Sequence, residues 1–134
     1  MASDSNTSSL VETLGIVEGM KLIILNAPPR YTFDLGELPP NIDKKINPHG
    51  SFDFIQYFAL NKQELEYKFS WLKQHTKPTG ILWISWMKKT TGFSTDLDEK
   101  IIRSIGTRHG MVGEKAVSIN DWWIAVKFTL VKGE

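Results

Sequence analysis

The sequence predicts a single α/β domain with a mostly parallel sheet that ends in an antiparallel hairpin. Three observations lead to this fold class. Three runs are apolar at consecutive positions, which is typical of strands covered on both faces. Capped amphipathic helices follow the second and third runs, and two strand-like segments near the carboxyl end flank the turn Asn120-Asp121. A chain of 134 residues is long enough for one hydrophobic core.

Composition excludes several classes of function. Sixteen Lys and Arg against 15 Asp and Glu give a net charge of +1, so we expect no dedicated nucleic-acid binding and only local anion sites. The absence of cysteine excludes disulfides, thiolate metal sites and cysteine nucleophiles. The longest apolar runs, Leu22 to Leu25 and Ile81 to Trp86, are far shorter than a membrane span. With no basic-then-apolar leader at the N-terminus, we expect a soluble cytoplasmic protein without membrane binding.

The N-terminal part begins with residues 1–8, which are small, polar and without periodicity and are predicted to form a mobile tail before a domain of residues 9–134. Ser9 to Glu12 has the spacing of a capping box, and Gly15 can end the short helix that follows. Lys21 to Asn26 is the first predicted central strand.

The segment from Pro28 to Gly50 contains five prolines, which leave little room for regular structure. We expect at most a short helix over Tyr31 to Leu38 and a short edge strand over Ile42 to Ile46.

The next two central strands are predicted at Phe52 to Leu60 and Gly80 to Trp86. Between them, a capping box at Asn61 to Glu64 opens an amphipathic helix, and the turn signal Lys77 to Gly80 stops it.

A further helix opens at Asp96 to Glu99 and ends before Gly110; Leu97, Ile101, Ile102 and Ile105 share one of its faces. Met111 to Ile119 and Trp122 to Val131 then form the predicted hairpin.

This layout resembles the S-adenosylmethionine-dependent methyltransferase fold. The resemblance is strongest from Asp53 to Phe128 and includes Lys77-Pro78-Thr79-Gly80-Ile81-Leu82 before a central strand, as well as the closing hairpin. The chain also looks like a family of small bacterial proteins with Lys-Lys-(Ser/Thr)-(Ser/Thr)-Gly and Thr-Asp-Leu-Asp after the last parallel strand, here Lys88 to Gly92 and Thr95 to Asp98. Both likenesses imply a three-layer, Rossmann-like fold of reduced methyltransferase-like topology.

Three departures bear on the activity that the resemblance implies. Methyltransferases of this class use a Gly-rich turn after the first strand, where this chain has Asn26-Ala27-Pro28-Pro29. The acidic residue that ends the second strand has no counterpart, because Asp43 begins that strand. Fewer than thirty residues separate the first strand from Asp53, too few for two further helix-strand units. We therefore expect a non-catalytic binding module with no catalytic residue and no cofactor. The alternative is a small methyltransferase that holds S-adenosylmethionine over Asn26 to Pro28 and takes its missing strands from a partner.

The loop after the third central strand is the richest candidate binding site. Ligands of open α/β sheets bind beyond the carboxyl ends of the strands, and this loop has two ammonium groups, four hydroxyls and a glycine before a helix N-terminus. The predicted anion-binding residues are Lys88, Lys89, Thr90, Thr91, Gly92, Ser94 and Thr95, with Asn26 and Arg30 bordering the same crevice. Alternatively, Thr95 or Asp96 merely caps the following helix and the lysines point into solvent.

Two neighbouring tryptophans give a second candidate surface. Alternation along a strand directs Trp122 and Trp123 to opposite faces, so one of them is expected to face outward and form a protein or homodimer interface. A structural, homo-oligomerising subunit is accordingly a third interpretation of the chain. No metal site is expected, because His49, His75 and His109 lack metal-ligand spacing. No Gly-x-Ser-x-Gly or phosphate-binding Gly-Lys-(Ser/Thr) motif is present either.

Overall fold

The computed structural model describes residues 9–131, which form a six-stranded sheet with helices on both faces. The predicted tail of residues 1–8 lies outside the described residues. The strands are β1 (Lys21–Leu25), β2 (Asp43–Lys45), β3 (Phe52–Phe58), β4 (Thr76–Met87), β5 (Met111–Ser118) and β6 (Trp123–Leu130). The helices are α1 (Leu10–Leu14), α2 (Tyr31–Leu35), α3 (Lys62–Gln74) and α4 (Glu99–Arg108), with a 3₁₀ turn at Lys89–Thr91.

The sheet has the predicted mixture of parallel and antiparallel strands. Its order is β2-β1-β3-β4-β6-β5. The first four strands are parallel, whereas β6 pairs antiparallel with both β4 and β5. This confirms the α/β class and the C-terminal hairpin.

Each face of the sheet carries its own core. On one face, α3 and α4 bury Leu65, Phe69, Leu72, Ile102 and Ile105 against β3, which contributes Phe52, Ile55 and Tyr57. On the other face, α1 and α2 bury Leu14, Tyr31 and Leu35 against Phe54, Phe58 and Trp83. Coverage from both sides explains why the central strands are apolar at consecutive positions.

The start of β4 differs from the prediction. Lys77 to Gly80 was expected to be a turn before a strand beginning at Gly80, but the strand begins at Thr76. Phe52 pairs with Thr76 and Phe54 with Ile81, so Lys77 to Gly80 bulge out of the ladder. Proline is tolerated in a bulge because its missing N–H needs no partner there. A β-carbon at Gly80 would lie 2.9 Å from the carbonyl oxygen of Phe52, so this close approach requires glycine.

The proline-rich segment contains the two short elements that were expected, with narrower bounds. Helix α2 ends at Leu35 rather than Leu38, and β2 covers Asp43 to Lys45 rather than Ile42 to Ile46.

Helix α1 is tied to the sheet by a long-range hydrogen bond. The buried indole Nε1–H of Trp83 donates to the carbonyl of Leu14 over 2.8 Å. Ser9 caps α1 and Asn61 caps α3 through their side chains, as the capping-box spacings predicted.

Both edges of the sheet are irregular. Strand β2 has only three residues, all of them exposed. On the opposite edge, the pairing of β5 with β6 shifts between Gly113 and Ala116. The Arg103 guanidinium donates to the carbonyls of Gly113 and Glu114 there, at 2.9 and 3.0 Å. Within residues 9–131, no helix is long and apolar enough to cross a membrane.

Candidate functional site

The carboxyl edge of the parallel strands is the part of this fold where a ligand is expected. Strand β2 lies on one side of β1 and β3 on the other, so the strand order reverses between β1 and β3. Open α/β sheets bind ligands outside the carboxyl ends of the strands at such a reversal. The turn after β1, the turn after β3 and the loop after β4 all lie along this edge.

The turn after β1 provides few backbone donors. Pro28 and Pro29 have no N–H, and the N–H of Tyr31 donates to the carbonyl of Pro28 at 3.1 Å. Asn26 and Arg30 both adopt positive φ angles, 59° and 74°. The tight turn is thus made by non-glycine residues, whose β-carbons hinder the close backbone approach that glycine allows.

Asn26 and Tyr57 approach each other where β1 and β3 end, at the reversal point. Tyr57 is almost fully buried. Burial raises the pKa of Tyr57 to about 12, with the Glu64 carboxylate adding to the increase and the nearby Asn26 side chain opposing it. The hydroxyl therefore stays protonated at neutral pH.

The end of β2 lacks the carboxylate that binds ribose hydroxyls in nucleotide-binding folds. Asp43 begins β2, as expected, and pairs with Lys45 at 3.3 Å. The residues at the carboxyl end are Lys45 and Ile46. Together with the proline-containing turn, this donor set does not fit S-adenosylmethionine bound through a Gly-rich turn and an acidic ribose ligand.

Hydroxyl groups of the loop after β4 are largely engaged within the protein. Thr91 Oγ1 donates to the carbonyl of Lys88 at 2.9 Å and accepts the N–H of Phe93 at 3.0 Å. Thr95 Oγ1 donates to the carbonyl of Leu60 at 3.0 Å. Gly92 supplies the positive φ that ends the 3₁₀ turn. Thr91 and Thr95 therefore shape the loop, while Thr90 and Ser94 remain exposed.

Both aspartates of this loop accept backbone amides at helix N-termini. Asp98 Oδ1 accepts from Ile101 at 2.8 Å and caps α4. Asp96 Oδ1 accepts from Lys62 at 2.9 Å and so satisfies an N–H of α3. The prediction that Thr95 or Asp96 caps α4 is wrong, because the helix begins two residues further on and Asp96 faces a different helix.

The two lysines of the loop have no carboxylate partner within residues 9–131. Lys88 Nζ donates to Ser118 Oγ at 2.7 Å, and the Lys88 N–H donates to the carbonyl of Trp122 at 2.8 Å. Lys89 is exposed. The loop thus presents two ammonium groups at the carboxyl edge.

The tryptophan pair divides as alternation predicted. Trp123 is 7% exposed and packs edge-on against Phe58 at 4.9 Å between ring centroids. Trp122 is 56% exposed, so it alone of the pair offers a surface.

A cleft of about 460 Å³ lies beside Trp122. It separates the turn after β1 from the turn between β5 and β6, and its lining includes Arg30, Asp34, Met87, Asn120 and Asp121. Asn120 Nδ2 donates to Asp34 Oδ2 at 3.0 Å and so joins the turn between β5 and β6 to α2. Sequence reasoning found Arg30 and Trp122 but missed Asp34 and Asp121, because no local pattern connects positions so far apart.

Serine and histidine residues form no hydrolytic constellation in the described residues. Ser85 is fully buried and accepts a hydrogen bond from Gln56 Nε2 at 3.1 Å. Asp53 lies at the opposite end of the neighbouring strand. The rings of His75 and His109 contact carbonyls at the ends of their own helices through Nδ1. No cluster of metal-ligating side chains occurs in residues 9–131.

Comparison with known proteins gives the fold its name. No protein-family model matches the chain, and no curated protein matches it by sequence. A SAM-dependent methyltransferase from Aquifex aeolicus superposes with a TM-score of 0.61 at 16% identity, covering 91% of this chain and 88% of that one. Magnesium protoporphyrin IX methyltransferase from Synechocystis PCC 6803, with bound SAM, superposes with a TM-score of 0.59 at 11% identity. The match covers 96% of this chain and 77% of that one. An S-adenosylmethionine-dependent methyltransferase from Clostridium acetobutylicum superposes with a TM-score of 0.54 at 9% identity. The match covers 90% of this chain and 86% of that one. The chain therefore has a methyltransferase-like Rossmann fold, as the sequence resemblance implied.

Proposed function

We propose that this protein is a non-catalytic, methyltransferase-like module that binds a small anionic molecule at the carboxyl edge of its sheet. The observation that carries the proposal is the contrast between charges in the loop after β4. Its aspartates, Asp96 and Asp98, are engaged as helix caps, whereas Lys88 and Lys89 have no carboxylate partner in the described region.

The electrostatic argument depends on where the negative charges point. An aspartate that accepts a backbone N–H has part of its charge offset by the helix N-terminus. The competition between these carboxylates and a bound anion is thereby reduced. Two ammonium groups remain, and charge-assisted hydrogen bonds from lysine are a common way to hold phosphate or carboxylate. Thr90 and Ser94 are exposed beside them and add hydroxyl donors.

The non-catalytic part of the proposal rests on the turn after β1. Pro28 and Pro29 remove two backbone donors, and the positive φ angles of this turn fall on Asn26 and Arg30 rather than on glycine. A methyl donor needs a firm hold on both its amino-acid and its nucleoside parts, since transfer requires near-attack geometry. The turn after β1 has few groups that could hold the amino-acid part or the nucleoside part.

Inorganic phosphate is the probe that tests the anion site. We expect phosphate, titrated at constant ionic strength, to shift the amide NMR signals of residues 88–95. The double variant Lys88→Ala/Lys89→Ala should bind phosphate about tenfold more weakly or worse, since two hydrogen bonds to a charged group are lost.

A matched control removes the same charge elsewhere. Lys44→Ala/Lys45→Ala deletes two exposed lysines from β2, on the outer edge of the sheet. This variant should bind phosphate as the unchanged protein does. A site in the loop after β4 is refuted if Lys88→Ala/Lys89→Ala binds phosphate as tightly as the unchanged protein does. It is also refuted if both double variants lose the same phosphate affinity.

Methyl transfer is the second candidate function, favoured by the fold of the structural neighbours, several of which are described as methyltransferases with bound cofactor. In that case S-adenosylhomocysteine at about 100 times its dissociation constant should stabilise the protein by about 2.7 kcal/mol. A thermal scan would then move upward by several degrees. Such a shift supports methyl transfer, and an unchanged midpoint supports the non-catalytic module.

A further inference from the structure

The cleft beside Trp122 has opposite charges that do not neutralise each other. Arg30 lies on one side, at the turn after β1, and Asp34 and Asp121 also line the same cleft. Within residues 9–131, none of these three side chains forms an ion pair with another. Exposed side chains of opposite charge that share a cleft without pairing leave both a cationic and an anionic group available to a ligand.

Asp34 and Arg30 each make one contact within the protein. Asn120 Oδ1 accepts the backbone N–H groups of Trp122 and Trp123, both at 2.9 Å, so its amide is fixed. Its Nδ2 then donates to Asp34, which leaves the second carboxylate oxygen of Asp34 available. The Arg30 guanidinium lies over the ring of Phe33, 5.8 Å from the centroid.

Apolar groups line the same cleft. The pyrrolidine rings of Pro28 and Pro29, the thioether of Met87 and the half-exposed indole of Trp122 border the cleft. Its volume of about 460 Å³ falls within the range of roughly 300–1,000 Å³ that is usual for small-molecule sites.

We propose that this cleft binds a small zwitterion, namely a free α-amino acid with an apolar side chain. The carboxylate of the ligand pairs with Arg30, its ammonium group pairs with Asp34 and Asp121, and its side chain packs on Trp122 and the prolines. A ligand with only one charge leaves one of these charged groups without a partner. Neither Lys88 nor Lys89 lines the cleft, so the proposal stands if the anion site fails.

L-Phenylalanine and two analogues test the requirement for both charges. Phenethylamine lacks the carboxylate, and 3-phenylpropanoate lacks the ammonium group. Binding is followed by tryptophan fluorescence and by the amide NMR signals of residues 28–34 and 120–123. We expect L-phenylalanine to bind and each analogue to bind about tenfold more weakly or worse. Equal affinity for all three compounds, or no response to L-phenylalanine, overturns the proposal.

Two variants assign the charges to their residues. Arg30→Gln should make the affinity for L-phenylalanine no higher than that for phenethylamine. Asp121→Asn should reduce the difference in affinity between L-phenylalanine and 3-phenylpropanoate. Lys44→Ala/Lys45→Ala, which removes two exposed lysines of β2 on the outer edge of the sheet, should leave all three affinities unchanged. Both cleft residues are exposed, and an unchanged melting midpoint shows that each variant is folded. Unaltered preferences in both folded variants also overturn the proposal.

Discussion

Asp96 accepts a hydrogen bond from the backbone N–H of Lys62 over 2.9 Å, so a carboxylate in the loop after β4 caps a helix that begins 34 residues earlier. Thr95 strengthens the same junction by donating to the carbonyl of Leu60. The loop that carries Lys88 and Lys89 is therefore fastened to the turn after β3 at its far end.

Asp96→Ala should lower the free energy of unfolding by about 1 kcal/mol, the usual cost of losing a helix cap. The same variant should bind phosphate more tightly, because one negative charge near the lysines is removed. Urea denaturation measures the first effect and an NMR titration the second. The control is Asp121→Ala, at an exposed turn position without a backbone amide partner in the described region. If Asp96→Ala itself lowers the free energy of unfolding by no more than about 0.5 kcal/mol, which is ordinary for a surface substitution, Asp96 does not act as a helix cap.

Tyr31→Phe should destabilise the protein by about 1–3 kcal/mol, because a buried acceptor loses its donor. The Tyr31 hydroxyl donates to Gln56 Oε1 at 2.7 Å, and Gln56 is fully buried. Burial also raises the pKa of Tyr31, which keeps the hydroxyl protonated as a donor. Tyr67→Phe is the matched control, since Tyr67 is 87% exposed. Equal denaturation midpoints for the two variants would show that the buried hydrogen bond contributes nothing.

Acidification should weaken the fold partly through Asp53. Burial raises the pKa of this carboxyl, but the Lys21 N–H at 2.8 Å and the Lys77 ammonium at 3.2 Å outweigh burial, and the net pKa is lowered. The stabilisation is therefore fully present above the unfolded value of about 3.9 and is lost as the pH falls through the folded pKa.

The variant Asp53→Asn checks this pH dependence. Its side chain still accepts the Lys21 N–H but has no titrating charge. Between about pH 6 and pH 3, its free energy of unfolding should fall less than that of the unchanged protein. Parallel pH profiles for the two proteins would assign the acid sensitivity to other groups.

Gly106→Ala should destabilise the protein although alanine favours helices. A β-carbon at Gly106 in α4 would overlap the ring of Phe128, which is fully buried and has no room to move. Overpacking a core costs about 1–3 kcal/mol, whereas the gain in helix propensity is about 1 kcal/mol. Ser104→Ala, at an exposed position of the same helix, should be neutral or stabilising. A more stable Gly106→Ala variant contradicts this packing.

Most of the fold could be predicted because the central strands carry a strong local signal. Phe54 to Phe58 are buried on both sides by helices, so each residue is apolar or, like Gln56, has an internal partner. The start of β4 was missed for a different reason. Lys77-Pro78-Thr79-Gly80 has the local composition of a turn, but its position opposite Phe52 makes it a bulge within a strand. Pairing between distant segments is not encoded in such local preferences.

The candidate site was predictable only in part. The position of Lys88 and Lys89 after a parallel strand follows from topology, so the sequence could place them at the carboxyl edge. Whether a hydroxyl or carboxylate is free depends on long-range partners such as Leu60 for Thr95 and Lys62 for Asp96. The cleft beside Trp122 depends on a bond between Asp34 and Asn120, which are 86 residues apart.

The two irregular edges of the sheet have a consequence for the behaviour of the protein at high concentration. Fibre growth requires a long, flat edge on which the strand of another molecule can pair. One edge strand, β2, has only three residues, all charged and exposed. On the other edge, the register of β5 shifts between Gly113 and Ala116. The Arg103 guanidinium there binds the carbonyls of Gly113 and Glu114, which a new strand would need. Neither edge is a good template, so concentrated solutions of the folded protein should resist assembly into fibres.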